Sequence, residues 1–125
     1  MIEVRQISKR FGDSVVLDNI SVTFNKGITN LIIGQSGSGK TVLLKSIVGL
    51  HNIDEGEIWY DERKFSTLSF KAKKEIRKEM GMLFQGAALF DSLTVEQNVM
   101  FPLDMFTNMS KKEKLNRVDF CLGRV

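Results

Sequence analysis

Residues 34–41 read GQSGSGKT, which fills the pattern G-x-x-x-x-G-K-[ST] at every fixed position. The chemistry that needs such a set is the binding of a polyphosphate. Several backbone N–H groups must point inward at once around a polyanion, and Gly34, Gly37 and Gly39 let the chain make that concave turn with no side chain in the way. Ser36 and Ser38 stand between them as further lining. Lys40 supplies a full positive charge to the β and γ phosphates of a nucleoside triphosphate. Thr41 offers a hydroxyl to Mg²⁺, an ion that prefers oxygen ligands and keeps several of its waters.

Such a loop works only when a strand delivers the chain into it and a helix carries the chain away, because the helix adds roughly half an elementary charge beneath the phosphates. Residues 28–33 are almost wholly apolar and isoleucine-rich, the pattern of a central strand covered on both faces. After the loop, Leu43, Leu44, Ile47, Val48 and Leu50 recur at helical spacing, so residues 40–50 are expected to be a helix. Upstream, residues 2–7 and 20–24 mostly alternate apolar with polar and read as antiparallel strands, followed by a turn at Asn25, Lys26 and Gly27. Downstream come a strand at 56–60 turned by Asp61 and Glu62, a charged helix at 69–78, and an apolar, strand-like run at 80–84. Thr94 with Gln97, and Ser110 with Glu113, each have the spacing of a capping box at a helix start. The last helix carries Leu115, Val118, Leu122 and Val125 on one stripe. The sequence ends in mid-stripe, which reads as a chain that stops inside an element.

The bulk composition sets the frame. A chain of 125 residues, 42% hydrophobic and 26% charged, has the make-up of one soluble globular domain and can bury roughly two thirds of its unfolded surface. The net charge of +3, from 18 basic and 15 acidic residues, is mild and argues against a nucleic-acid partner. Lys71, Lys73, Lys74, Arg77 and Lys78 form a basic patch, yet Glu75 and Glu79 interrupt it and it reads as a solvated helix face. Cys121 is the only cysteine, so it is expected to be a reduced, half-buried packing thiol in a cytosolic compartment. No apolar run approaches the roughly 20 residues that cross a bilayer, and the first ten residues lack a signal-type stretch.

With these residues in view, the chain resembles the ATP-binding subunits of ABC transporters over essentially its whole length. SKRFGDSVVLDNISVTFNKG, residues 8–27, is similar to the family's first hairpin; the resemblance implies that Phe11 stacks on adenine and that the apolar Val16 flanks the base. GLHNIDEGEIWYDE, residues 49–62, resembles the stretch after the loop helix. GMLFQ, residues 81–85, resembles the strand ending in the Q-loop, which implies that Gln85 touches Mg²⁺ or the attacking water and that its loop senses a transmembrane permease subunit. GAALFDSLTVEQNV and MFPL, residues 86–103, look most like the ATPases of bacterial phospholipid-trafficking, Mla-type transporters. One departure is Val42, which replaces the second hydroxyl residue of the loop; its backbone N–H remains, and one lost side-chain bond to the α-phosphate costs about 1 kcal/mol.

The resemblance implies an α/β fold of the P-loop ATPase type, with an antiparallel β edge and a mainly parallel core sheet. Residues 1–90 would form the first part of the nucleotide-binding core, and residues 91–125 the start of an incomplete helical subdomain. It further implies an ATPase with ATP and Mg²⁺ as cofactors, catalytic roles for Lys40 and Gln85, and metal contacts from Thr41 and Gln85. ATPase subunits would pair as a homodimer on the cytoplasmic face of the inner membrane and drive transport of a lipid or phospholipid. The family's LSGGQ-type signature, its Asp-Glu strand, its D-loop and its switch histidine do not occur in these residues. Asp54 and Glu55 follow no apolar run, and His51 sits in a turn and reads as a surface histidine. This chain is accordingly expected to bind nucleotide but to turn it over slowly or not at all. Two other readings share the loop: a nucleotide-binding fragment without activity, and a small nucleotide kinase or GTPase, for which no N-K-x-D guanine motif appears. A non-transport ABC ATPase would carry paired cassettes or long coiled coils, and neither is visible.

Overall fold

The computed structural model describes residues 1–86 and 88–125. Ala87, inside the stretch that resembles Mla-type ATPases, lies outside the described residues. The chain divides into two compact units, Met1–Glu79 and Met80–Val125.

The first unit is organised by a hairpin of β1 (Ile2–Phe11) and β2 (Ser14–Phe24), closed by a tight turn in which Gly12 takes φ 57°. Val4 and Ile7 are both buried although three residues apart, a spacing that simple alternation would put on opposite faces. The ladder resolves this with a register shift between them, where Gln6 adopts φ 49°. An extra residue of this kind resets the pleat so that both side chains face the core. The Gln6 amide, displaced from the ladder, donates to Ser21 Oγ at 2.9 Å.

On its other edge β1 pairs antiparallel with β3 (Glu55–Tyr60), in the register Val4↔Ile58 and Ser8↔Glu55. A short β4 (Arg63–Lys64) completes the order β2-β1-β3-β4. Val4, Ile7, Leu17, Ile58, Tyr60 and Phe65 form the buried face, and Leu43 and Ile47 from α1 (Lys40–Ile47) add to the core. Ile76 comes from α2 (Phe70–Arg77), whose N-cap Ser69 accepts from the Ala72 amide. The basic face of α2 is not wholly solvated as expected. Arg77 Nε donates to Val48 O at 2.9 Å and its Nη2 to Gly49 O at 2.5 Å, meeting carbonyls at the negative end of α1.

Two expected strands are absent among the described residues. Residues 28–33 and 80–84 are irregular, and Leu31, Ile33 and Leu83 are 82%, 82% and 91% exposed. A strand of the doubly covered kind needs hydrogen-bond partners along its edges and cover on each face, and no described segment supplies either. The ladders that do form are antiparallel and join strands that find partners within residues 2–64.

In the second unit, α3 (Val95–Phe106) and α4 (Lys111–Leu122) both begin with complete capping boxes, at Thr94 with Gln97 and at Ser110 with Glu113. Asn98 ties the preceding loop to α3, accepting from the Phe90 amide at 2.8 Å and donating to Phe90 O and Leu93 O at 3.1 Å each. Val118 of the expected stripe is fully buried, and Lys114 pairs with Asp104 at 2.8 Å. The helix does not run on to Val125. It ends at Leu122 with Gly123 as its C-cap, at the residue whose backbone loses most freedom in a helix.

Candidate functional site

The phosphate-loop residues lie together in the first unit. Gly37 and Gly39 have φ 80° and 89°, in the left-handed region where a side chain is strained. Gly39 is constrained twice, because a Cβ there would stand 2.9 Å from Val16 O and 3.2 Å from Leu17 Cδ2. The loop therefore lies directly on β2, and only glycine permits that approach. At Gly34 a Cβ would meet Ser38 Oγ at 2.7 Å. Helix α1 starts at Lys40 with Gly39 as N-cap and no capping side chain, so its first amides carry no internal partner and are available to an anion.

Lys40 Nζ donates to Gly34 O at 2.7 Å and to Gln35 O at 2.6 Å. The ammonium thus arches back over the loop that precedes it, and the Ser38 amide donates to Gln35 O at 3.2 Å. Val16 and residues 37–42 line one cleft of about 150 Å³, with Thr41 exposed at its rim. Glycines at positive φ, an uncapped helix N-terminus and the Lys40 ammonium make a donor set that fits a polyphosphate. Among the described residues no group of three or more His, Cys, Asp or Glu side chains could hold a metal. A magnesium ion here would take oxygen from Thr41, from phosphates and from water.

The structure brings Val16 into this cleft, together with Gly37, Ser38, Gly39, Lys40, Thr41 and Val42. Gly34 joins through its carbonyl bond to Lys40, and Ser36 lies in the exposed turn of the loop. Phe11 is 46% exposed at the hairpin end and is not part of the cleft lining. Its ring instead meets His51 edge-on, with centroids 5.4 Å apart and planes at 78°, and Lys9 Nζ lies 5.4 Å above it. Lys9 is held by Asp54 at 2.7 Å. That lysine and the Arg10 amide, which donates to Asp54 at 2.6 Å, keep the Asp54 carboxyl below its ordinary range. In the sequence alone His51 reads as plain surface and Asp54 has no role. The antiparallel register Ser8↔Glu55 is the signal that places residues 51–54 beside residues 9–11. Gln85 belongs to the second unit, exposed in a turn with Gly86.

Comparison with known proteins agrees with this geometry. A sequence profile of the family described as ABC transporter matches residues 17–125. The chain is 40% identical over 114 residues to the methionine import ATP-binding protein MetN of Clostridium tetani, covering 91% of this chain and 35% of MetN. It is 41% identical over 109 residues to the intermembrane phospholipid transport system ATP-binding protein MlaF of Haemophilus influenzae, covering 87% of this chain and 41% of MlaF. Among solved structures, the ATP-binding cassette MJ0796, a dimer in a post-hydrolysis state with ADP and Pi, superposes with a TM-score of 0.88 at 31% identity. That match covers 98% of this chain and 56% of the cassette. The chain spans about half the length of the cassette and less of the two named relatives.

Proposed function

Since the chain belongs to the ABC transporter family of ATP-binding cassettes, we propose that it binds MgATP in the 34–42 loop and serves an ATPase subunit that drives transport. The observation that carries this reading is the cradle itself: Gly37 and Gly39 at positive φ, the open N-terminus of α1, and Lys40 arched across the loop. When bound, magnesium neutralises charge between the β and γ phosphates. Lys40 would exchange two carbonyl oxygens for phosphate oxygens, Thr41 would supply a hydroxyl, and Phe11 and Val16 would take the base. Replacing Lys40 by Ala should weaken binding of an unhydrolysable MgATP mimic about 10- to 100-fold, the worth of charge-assisted hydrogen bonds. Calorimetry measures this beside an unchanged far-ultraviolet dichroism spectrum; equal affinity of the two versions would remove the assignment.

In this reading Gln85 contacts magnesium or the attacking water, and its loop faces a transmembrane permease subunit. Support comes from its exposed turn following the GMLFQ run. Pairing of two ATPase subunits is supported by the dimeric cassette among the structural neighbours. A place on the cytoplasmic face of the inner membrane follows from that partnership, and among the described residues no helix is long and apolar enough to cross a membrane. The signature and Asp-Glu strand needed around a γ-phosphate do not occur in these 125 residues, so phosphate release by this chain should stay far below the order of 1 turnover per second. Turnover at that level in a steady-state assay would contradict it.

The cargo proposed is phospholipid, supported by the similarity of residues 86–103 to Mla-type ATPases and by the MlaF relative. MetN, at nearly the same identity, supports methionine as the second reading. Phospholipid, and not methionine, should stimulate ATP hydrolysis by the transporter assembled with its membrane subunit, and the opposite response would exchange the two.

A further inference from the structure

The residues that hold Phe11 come from a segment that the base-stacking reading does not use. The Phe11 ring sits at the turn end of the hairpin, 46% exposed, where an unsupported side chain would sample several rotamers. His51 meets it edge-on at 5.4 Å, a separation and tilt that suit aromatic pairing. Lys9 Nζ lies above the same ring at 5.4 Å and is pinned by Asp54 at 2.7 Å. Asp54 is itself fixed at both ends, its carboxylate accepting from the Arg10 amide and its own amide donating to Ser8 O at 3.0 Å. Residues 51–54 thus form a brace along the strand that carries Phe11.

This brace has a particular origin in the chain. Helix α1 opens on the phosphate loop at Lys40, ends at Ile47, and leads within four residues to His51. One element therefore sets the phosphate cradle at its first turn and delivers the contact to the hairpin ring after its last. We propose that His51 is a positioning residue for nucleotide recognition: with Lys9 and Asp54 it fixes the Phe11 ring in the orientation that stacks on a purine base. The inference rests on the reading that Phe11 stacks on the base.

The test is titration calorimetry on the full chain with two magnesium-loaded ligands, an unhydrolysable ATP mimic and tripolyphosphate, which has no base. The proteins are the unaltered chain, His51→Ala, His51→Phe, Phe11→Ala and the double variant. His51→Ala should weaken the ATP mimic about three- to tenfold, the range of one aromatic pair, and leave tripolyphosphate unchanged. His51→Phe, which keeps a ring at that place, should restore the affinity. In the Phe11→Ala background His51→Ala should cost nothing more. An unaltered affinity in His51→Ala, alongside a loss in Phe11→Ala, overturns the inference and leaves base stacking intact. No loss in Phe11→Ala removes base stacking and the inference with it. Weakening of both ligands, or a His51→Ala loss that persists without Phe11, means that His51 acts elsewhere and overturns the inference.

Discussion

Residues 1–79 and residues 80–125 reach secondary structure by different means. Among the described residues the first unit buries Val4, Ile7, Leu17, Leu43, Ile47, Ile58, Tyr60, Phe65 and Ile76, while the second fully buries only Val118 of its apolar side chains. The second unit has the better helix ends: both its helices carry complete capping boxes, whereas α1 begins with no capping side chain. Its α3 also contains Pro102, which removes a helical hydrogen bond at a cost of about 3 kcal/mol. Caps define where a helix starts and contribute about 1 kcal/mol each; buried area is what resists unfolding. The first unit leaves the start of α1 without a capping side chain, and its buried core offsets that loss.

The sharpest way to break this contrast is to attack that core. Phe65 is 1% exposed and packs edge-on against Tyr60 with centroids 5.0 Å apart. Phe65→Ala should cost about 3–5 kcal/mol, a large share of the 5–15 kcal/mol, roughly, that hold a domain together. Trp59 is the only tryptophan and lies in β3, so its fluorescence in a urea titration reads this loss; a midpoint that did not move would mean the core is not where stability resides.

A smaller effect tests the other side. Ser110→Ala removes the side chain that accepts from the Glu113 amide and should cost about 1 kcal/mol. It should appear as faster amide exchange in the first turn of α4. An equal loss on the Trp59 transition would show that shallow burial is not what sets residues 80–125 apart.

The smallest effect is silent at neutral pH. Tyr60 is the only tyrosine, its hydroxyl donates to Ile47 O at 2.8 Å, and burial pushes its pKa up to about 12, with Arg77 opposing. The folded value lies above the ordinary one of about 10. Stability from this burial is therefore complete below about pH 10 and is lost as pH rises through about 12. Tyrosinate absorbance should rise near pH 12 in the folded chain, and a rise near 10 would place the ring in water.

What was legible in the sequence follows the range of the interactions. The phosphate loop lies within eight consecutive residues, and each capping box spans four, so those features carry their own signals. The hairpin of β1 and β2 is also local. The pairing of β3 with β1 joins residues some fifty apart, and nothing within either segment announces it. That is why His51 read as surface although it lies against Phe11. The same limit explains residues 28–33, whose isoleucines describe a buried strand while the partners that would bury it are a property of other segments. Arg77 reads, with its lysine neighbours, as part of a solvated face because its targets, Val48 O and Gly49 O, lie just past the end of α1, some thirty residues away in the chain.

The resting posture of Lys40 has a consequence for selectivity. Its ammonium leans on two uncharged oxygens, at Gly34 and Gln35, and, among the described residues, on no carboxylate. A newcomer has no ion pair to break, yet it must outbid a pair of amide dipoles, which a dianion does readily and a sugar or monovalent ion does poorly. In the proposed reading the loop would act as a spring latch, its lysine held by neighbouring backbone and freed by the arrival of a polyanion.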